Sequence, residues 1–341
     1  MHAAHHRVSP WRFLAVVTAV CMAAAGFCTA VADAGMDVEP AGQACAREGA
    51  RVLFIGNSYT FGSTSAVRYY RAETVQDLYN TDFGGVPALV GVFADQAGVA
   101  LDVSHATSSG FGLHDHVEAG LERFDRSWDC VVMQSLSMLD RAAPGDPRRL
   151  VEASATLADT VRARHDAVQI LFLATWPRAD YVHLDGRPWS GQGLDRMAAD
   201  IRDGYELAAA RVGVDGAIIP VADAWLKAME TGLAVENPYQ GVPHGQVSLW
   251  SYDQHHASQY GYYLSALVVF AHLTGLDPRS LGETELAAWE LGIEPGLAAG
   301  LQAAAREVTG GDGLTAFSPV PGSQYRPGRR GVATGIPADP R

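Results

Sequence analysis

Arg51-Val52-Leu53-Phe54-Ile55-Gly56, followed by Asn57-Ser58-Tyr59-Thr60, is the stretch on which the fold turns. Val52 to Ile55 are apolar without alternation, and Gly56 closes the run. A strand with one wet face alternates apolar and polar residues; an unbroken apolar run marks a strand buried on both faces, as in a parallel sheet. Asp129–Gln134, Val168–Ala174 and Ala217–Val221 are further largely apolar runs, and another strand is expected near Ala100–Ser104. Apolar residues at helical spacing separate them, over Pro87–Ala97, Pro147–His165 and Leu194–Val212, and the mostly apolar segment Ala257–Leu273 follows. Strands alternating with helices predict an α/β chain with a doubly wound, five-stranded parallel sheet flanked by helices, a flavodoxin-like three-layer sandwich.

Three connections are longer than this pattern needs: Phe61–Gly85, Arg178–Gly193 and Gly232–Ser251. Loops that follow the carboxyl ends of parallel strands surround the binding crevice. These three, with Tyr69, Tyr181 and Trp189 among their aromatics, are therefore candidate walls of a site. After Gly275, the segments Leu281–Leu291 and Pro295–Val308 read as two closing helices. The expected organisation is a linker over 35–50, one domain over 51–308 and a Gly/Pro/Arg-rich flexible tail over 309–341.

Residues 1–34 read as a signal peptide. Arg7 and Arg12 precede an apolar run, and Ala30-Val31-Ala32 and Ala32-Asp33-Ala34 both offer small-residue cleavage patterns. A secreted or periplasmic protein with no stable membrane insertion after cleavage is expected; an uncleaved anchor is the alternative. Cys21 and Cys28 lie in this segment, which leaves Cys45 and Cys130. In an oxidising compartment two cysteines suggest one disulfide, and two free thiols are the other possibility. The formal charge of −13 excludes a broad basic face of the kind that nucleic acid requires, so no nucleic-acid partner is expected.

Chemistry is concentrated in two places. Ser58 stands where the first buried strand ends, so its hydroxyl and backbone N–H sit at the carboxyl edge of the sheet. Asp253-Gln254-His255-His256 stands just before the last apolar helix. A serine hydroxyl is a weak nucleophile until an imidazole takes its proton, and the imidazole needs a carboxylate to fix its tautomer. The Asp-x-x-His spacing lets Asp253 reach His256 within one turn.

Together these blocks resemble the SGNH/GDSL hydrolase family, whose nucleophile lies in a Gly-Asp/Asn-Ser block near the domain's N-terminus and whose Asp-x-x-His block lies near its C-terminal end. The resemblance covers roughly residues 51–275. Gly56-Asn57-Ser58-Tyr59-Thr60 and Val131-Val132-Met133-Gln134-Ser135 look most like a bacterial branch with Gln in the third block. It implies a Ser58–His256–Asp253 triad, an acyl-enzyme and no cofactor. It also implies an oxyanion hole from the N–H groups of Ser58 and Gly110, with Gly112 as second choice, and the amide of Gln134 in place of the family's Asn. Asn57, Tyr59, His116 and Trp176 are expected to line the substrate pocket. The expected substrate is an acylated carbohydrate or another small ester. Two other functions remain open: a ligand-binding protein on the same scaffold, and a metal-dependent phosphoesterase built on Asp253, His255, His256 and His116. No established zinc spacing supports the latter, so no metal is expected.

Overall fold

A computed structural model describes residues 45–310 and 313–320. The region read as a signal peptide, the first part of the linker and most of the tail lie outside these residues. Six strands form one sheet: β1 (Ala50–Gly56), β2 (Gln76–Asp77), β3 (Leu101–Thr107), β4 (Cys130–Met133), β5 (Gln169–Leu173) and β6 (Ile218–Ile219). Their spatial order is β2-β3-β1-β4-β5-β6, and every pairing is parallel. The five expected strands are present, but the sheet has six. The extra strand, β2, is an edge of two polar residues inside the 61–85 connection, paired at Ser104 and His105. Two residues carry no periodicity, and an edge needs no apolar run, so the sequence gives no sign of it.

The helices are α1 (Ser58–Phe61), α2 (Gly85–Gln96), α3 (Leu113–Glu118), α4 (Arg148–Arg162), α5 (Ala179–Val182), α6 (Leu194–Val212), α7 (Val221–Glu230), α8 (Gln259–Thr274), α9 (Leu286–Glu290) and α10 (Pro295–Val308). One group packs α8 against α2, α7 and α10; the other packs α4 against α3 and α6. α8 is apolar on nearly every side because it is covered on nearly every side. Its Gly261 faces Leu249 O and the Trp225 ring so closely that no Cβ fits. None of the described helices is long and apolar enough to cross a membrane.

β1 is the pivot of this topology. The chain goes from β1 to β3 on one side and then returns to β4 on the other. Such a reversal opens a crevice at the strands' carboxyl ends, and Gly56-Asn57-Ser58 leaves β1 at that point.

Both ends of the described chain are more firmly attached than expected. In the 35–50 linker, Cys45 forms a disulfide with Cys130 (Cα–Cα 5.9 Å), Gly49 N–H donates to Ala100 O (2.7 Å) and Ala50 already belongs to β1. In the expected tail, Thr315 N–H donates to Gly275 O (2.8 Å), Phe317 packs against Phe270 and Val320 N–H donates to Gln96 O (2.9 Å). One aromatic and a few backbone bonds hold residues 315–320 against the domain.

Candidate active site

The loop after β1 is tied to the rest of the protein by nearly every polar atom it has. Asn57 caps α1: its Oδ1 accepts from Tyr59 N–H (3.0 Å), and its Nδ2 donates to Phe111 O (2.7 Å) and Ser135 O (3.3 Å). Gln134, at the end of β4, accepts on Oε1 from Asn57 N–H (2.9 Å) and from the Thr60 hydroxyl (2.8 Å). Gly56 C=O accepts from Ser108 N–H (3.2 Å) and from His116 Nε2 (2.9 Å). Ser58 C=O accepts from the Tyr262 hydroxyl on α8 (3.0 Å). Ser58 is thereby fixed as the first residue of α1. The residue is 7% exposed, and its side chain forms no hydrogen bond among the described residues.

The second constellation builds itself. An isolated antiparallel bridge joins Trp250 to Ala257, and Ser251 N–H donates to His256 O (2.8 Å), closing a tight loop. Gln254 turns it at φ +59°, a left-handed conformation that non-glycine residues seldom adopt. That turn points the backbone N–H groups of His255 and His256 at Asp253 Oδ1 (3.3 and 3.0 Å), while Asp253 Oδ2 meets His256 Nδ1 at 2.6 Å. Burial pushes the Asp253 carboxyl up. The hydrogen bonds from the His256 ring and backbone, with the neighbouring imidazoles, outweigh it and hold the acid well below the carboxylate range. An ionised Asp253 can only accept, so His256 Nδ1 carries the ring proton and Nε2 keeps its lone pair.

The two constellations share a rim. The Tyr59 ring lies 5.6 Å from the His256 ring. Trp176 stacks on Tyr59 (4.4 Å) and on Trp225 (4.7 Å), and its Nε1 donates to His255 O (3.0 Å). Ser251 Oγ donates to Thr64 O (3.1 Å), just beyond α1. Asp253 and His256 are thus in direct contact. Ser58 is on the same rim without a hydrogen bond to His256.

Several expected roles change. Gln134 does not present its amide to a substrate: Oε1 braces the serine loop and Nε2 donates to Ser135 O. His116 does not line a pocket. It is fully buried, with Nε2–H donated to Gly56 O and Nδ1 accepting from the Tyr79 hydroxyl (3.0 Å), which in turn accepts from Arg123 (2.9 Å). Burial pushes its pKa down to about 4, partly opposed by the bond to Gly56 O. Trp176 is fully buried in the aromatic stack, and Tyr59, 4% exposed, packs against it; Asn57 is likewise consumed by its bonds. Gly112 N–H is taken by Asp115 Oδ2 (2.7 Å). Gly110, at φ +73°, keeps an N–H with no partner among the described residues, as does Ser58.

The sequence reading missed the Arg178–Asp180 pair beside the base loop. Arg178 Nε and Nη2 meet the Asp180 carboxylate at 2.9 and 2.5 Å, and the guanidinium lies 3.9 Å from the Tyr181 ring centre. It also missed Tyr262, the Tyr79–Arg123 support and Trp225. Each is a common residue in a helix or loop, and only tertiary contact gives it a role.

No protein-family model and no curated protein matches the chain. Among solved structures, a DUF4886 family protein from Bacteroides uniformis is similar, with a TM-score of 0.55 and 19% identity over 76% of this chain and 94% of that one. At that identity the likeness is one of fold. Lower-scoring matches include an acetylxylan esterase from Geobacillus stearothermophilus (TM-score 0.43, 16% identity, 67% of this chain and 95% of that one) and a candidate SGNH hydrolase from Slackia heliotrinireducens (0.41, 19%, 66% and 100%). The architecture is thus a three-layer α/β sandwich around a parallel sheet, shared with the DUF4886 structure.

Proposed function

We propose that the chain is a secreted serine ester hydrolase acting through Ser58, His256 and Asp253. The observation that carries this is the 2.6 Å contact between Asp253 Oδ2 and His256 Nδ1, which leaves Nε2 as a base on the rim that holds Ser58. In the proposed reaction Ser58 Oγ attacks the ester carbonyl while its proton passes to His256 Nε2. Asp253 stabilises the imidazolium, and the free N–H groups of Ser58 and Gly110 receive the oxyanion. His256 then protonates the leaving alcohol, and water resolves the acyl-enzyme by the same route in reverse. Catalytic hydrogen bonds tighten when substrate binds, which accommodates the open Ser58–His256 contact.

The proposed substrate is an acylated saccharide or another small ester. Tyr252, next to Asp253, is 81% exposed, and Tyr239, on the 232–251 connection, is 44% exposed. Exposed rings beside the base loop suit stacking on a sugar face, and the Arg178–Asp180 pair offers both donors and acceptors to hydroxyls.

Labelling with a fluorophosphonate probe, together with hydrolysis of acetylated glycans and of p-nitrophenyl esters of varied chain length, tests this reading. The wild-type chain should label and hydrolyse. Ser58→Ala should lose labelling and about 10⁴–10⁶ in turnover. Full turnover in Ser58→Ala, or activity that a chelator abolishes, would overturn it in favour of the metal-dependent phosphoesterase.

A further inference from the structure

Asp253 is flanked by two imidazoles, and the proposed reaction uses only one. The His255 ring lies 4.0 Å from the His256 ring, and its Nδ1 lies 3.5 Å from Asp253 Oδ2. Among the described residues, its only other polar contact through that ring is a long one, 3.4 Å, to Asp253 O. One ligand atom from each of Asp253, His255 and His256 lies within 4.8 Å of the other two. All three side chains reach solvent, at 20%, 27% and 14% exposure respectively, so an ion has access without any opening of the fold.

Two imidazole nitrogens and a carboxylate oxygen are a donor set that zinc accepts, with water completing a tetrahedron. Bond lengths of about 2.0–2.1 Å put neighbouring ligand atoms of such a site about 3.3 Å apart. The His255–Asp253 separation of 3.5 Å is near that value. The His256–Asp253 separation of 2.6 Å is the length of a shared proton, and it need widen by less than 1 Å once the proton leaves. The nearby Arg178 does not oppose a cation strongly, because it is neutralised by its two-point pairing with Asp180.

From this geometry we infer that Asp253, His255 and His256 form a three-ligand site for zinc or a similar divalent cation, and that filling it switches the hydrolase off. The binding rests on the three side chains alone; the inhibitory consequence rests on the proposed triad. When His256 Nδ1 coordinates the ion, its proton is lost to solvent and one returns to Nε2. The ring stays neutral, but the nitrogen that must accept the Ser58 proton has become a donor. The same ion also removes the Asp253 oxygen that stabilises the imidazolium. His255 touches neither Ser58 nor the oxyanion donors; its role here is to retain the ion.

The experiment uses zinc chloride as the probe. Titration calorimetry on the full chain carrying Ser58→Ala, with and without His255→Gln, reads binding apart from turnover. Hydrolysis of p-nitrophenyl acetate by the wild type and by His255→Gln reads the consequence. Zinc should inhibit the wild type reversibly, with activity restored by a chelator. His255→Gln should keep hydrolysis within about twofold and need about tenfold more zinc for the same inhibition, and it should show a matching loss in calorimetric affinity. Equal zinc affinity with and without His255 would overturn the site. Stimulation by zinc, with loss of activity in His255→Gln, would overturn the inhibitory role. If instead Ser58→Ala hydrolyses like the wild type, the triad fails while the calorimetric result stands independently.

Discussion

The loop that carries Ser58 and the loop that carries His256 face each other across one rim, yet they are built in opposite ways. The base loop is held mostly by itself: the carboxylate of Asp253 takes bonds from residues two and three positions on, and the strand-like bridge that closes the loop joins Trp250 to Ala257, seven positions on. The serine loop is held by partners distant in the chain: Phe111, Ser135, Gln134, His116 and Tyr262. A locally built unit is rigid as soon as its few residues adopt one turn. A loop braced from several elements is rigid only when the whole sheet is assembled. Substitutions in the first should therefore damage chemistry and spare stability, while substitutions in the second should damage both.

The largest effect that sharpens this contrast comes from Asp253→Asn. Asn keeps an oxygen for the backbone N–H groups of His255 and His256, so the turn survives. It no longer accepts the His256 proton as an anion does, and the tautomer that leaves Nε2 free is lost. Turnover should fall by about 10⁴, with a modest fall in the urea midpoint from the loss of the ionised carboxylate's bonds. A large drop in the midpoint would show that the base loop depends on the rest of the fold after all.

Gln134→Met should produce the opposite profile, with a smaller effect on rate. Met has a similar length and volume but accepts almost no hydrogen bond, which leaves Asn57 N–H and the Thr60 hydroxyl buried without a partner. Each unsatisfied group costs about 1–3 kcal/mol, so stability should fall by several kcal/mol. A slight displacement of Ser58 should lower kcat by about 10–10² and leave KM close to the wild-type value. If Gln134 served as an oxyanion donor, kcat would fall by about 10²–10³ with little change in stability. The ratio of the two losses therefore decides which role Gln134 has.

The same contrast explains what the sequence discloses. Asp253 and His256 are visible in it because their partnership is three residues long. Most of the main strands are visible because burial on both faces forces runs such as Val52–Ile55. Gln134 was noticed for its position, but its direction was misread: residue type tells which atoms it offers and not where they point. His116 and Trp176 are expected in the pocket but do not line it. Their actual partners, Tyr79 with Arg123 and Trp225 with Tyr59, come from elements whose approach only the fold determines. β2 escaped for a different reason, since two polar residues on an edge make no pattern.

The smallest effect concerns His116, which lies under the serine loop, and its signature is a dependence on pH. Nε2–H is donated to Gly56 O, and Nδ1 accepts from Tyr79, whose oxygen is already engaged by Arg123. A second ring proton would face a donor next to a guanidinium, in a fully buried place. Burial accordingly pushes this histidine down to about 4, against an ordinary value of 6.5. Between those values the unfolded chain binds a proton that the folded chain refuses, so unfolding becomes easier as pH falls. The contribution is complete above about pH 6.5, declines through the window and is gone near pH 4. At 1.36 kcal/mol per unit, it amounts to about 3 kcal/mol. His105, His255 and His272 are also shifted downward and add to the same acid limb, so the wild-type slope alone does not isolate His116. His116→Gln does: its Nε2–H still reaches Gly56 O, but it has no proton to gain. Urea unfolding from pH 7.5 to pH 4 should show the wild type losing about 3 kcal/mol more than the variant across this window. Parallel curves for the two proteins would mean that His116 is not the buried neutral prop beneath Gly56 that its contacts describe.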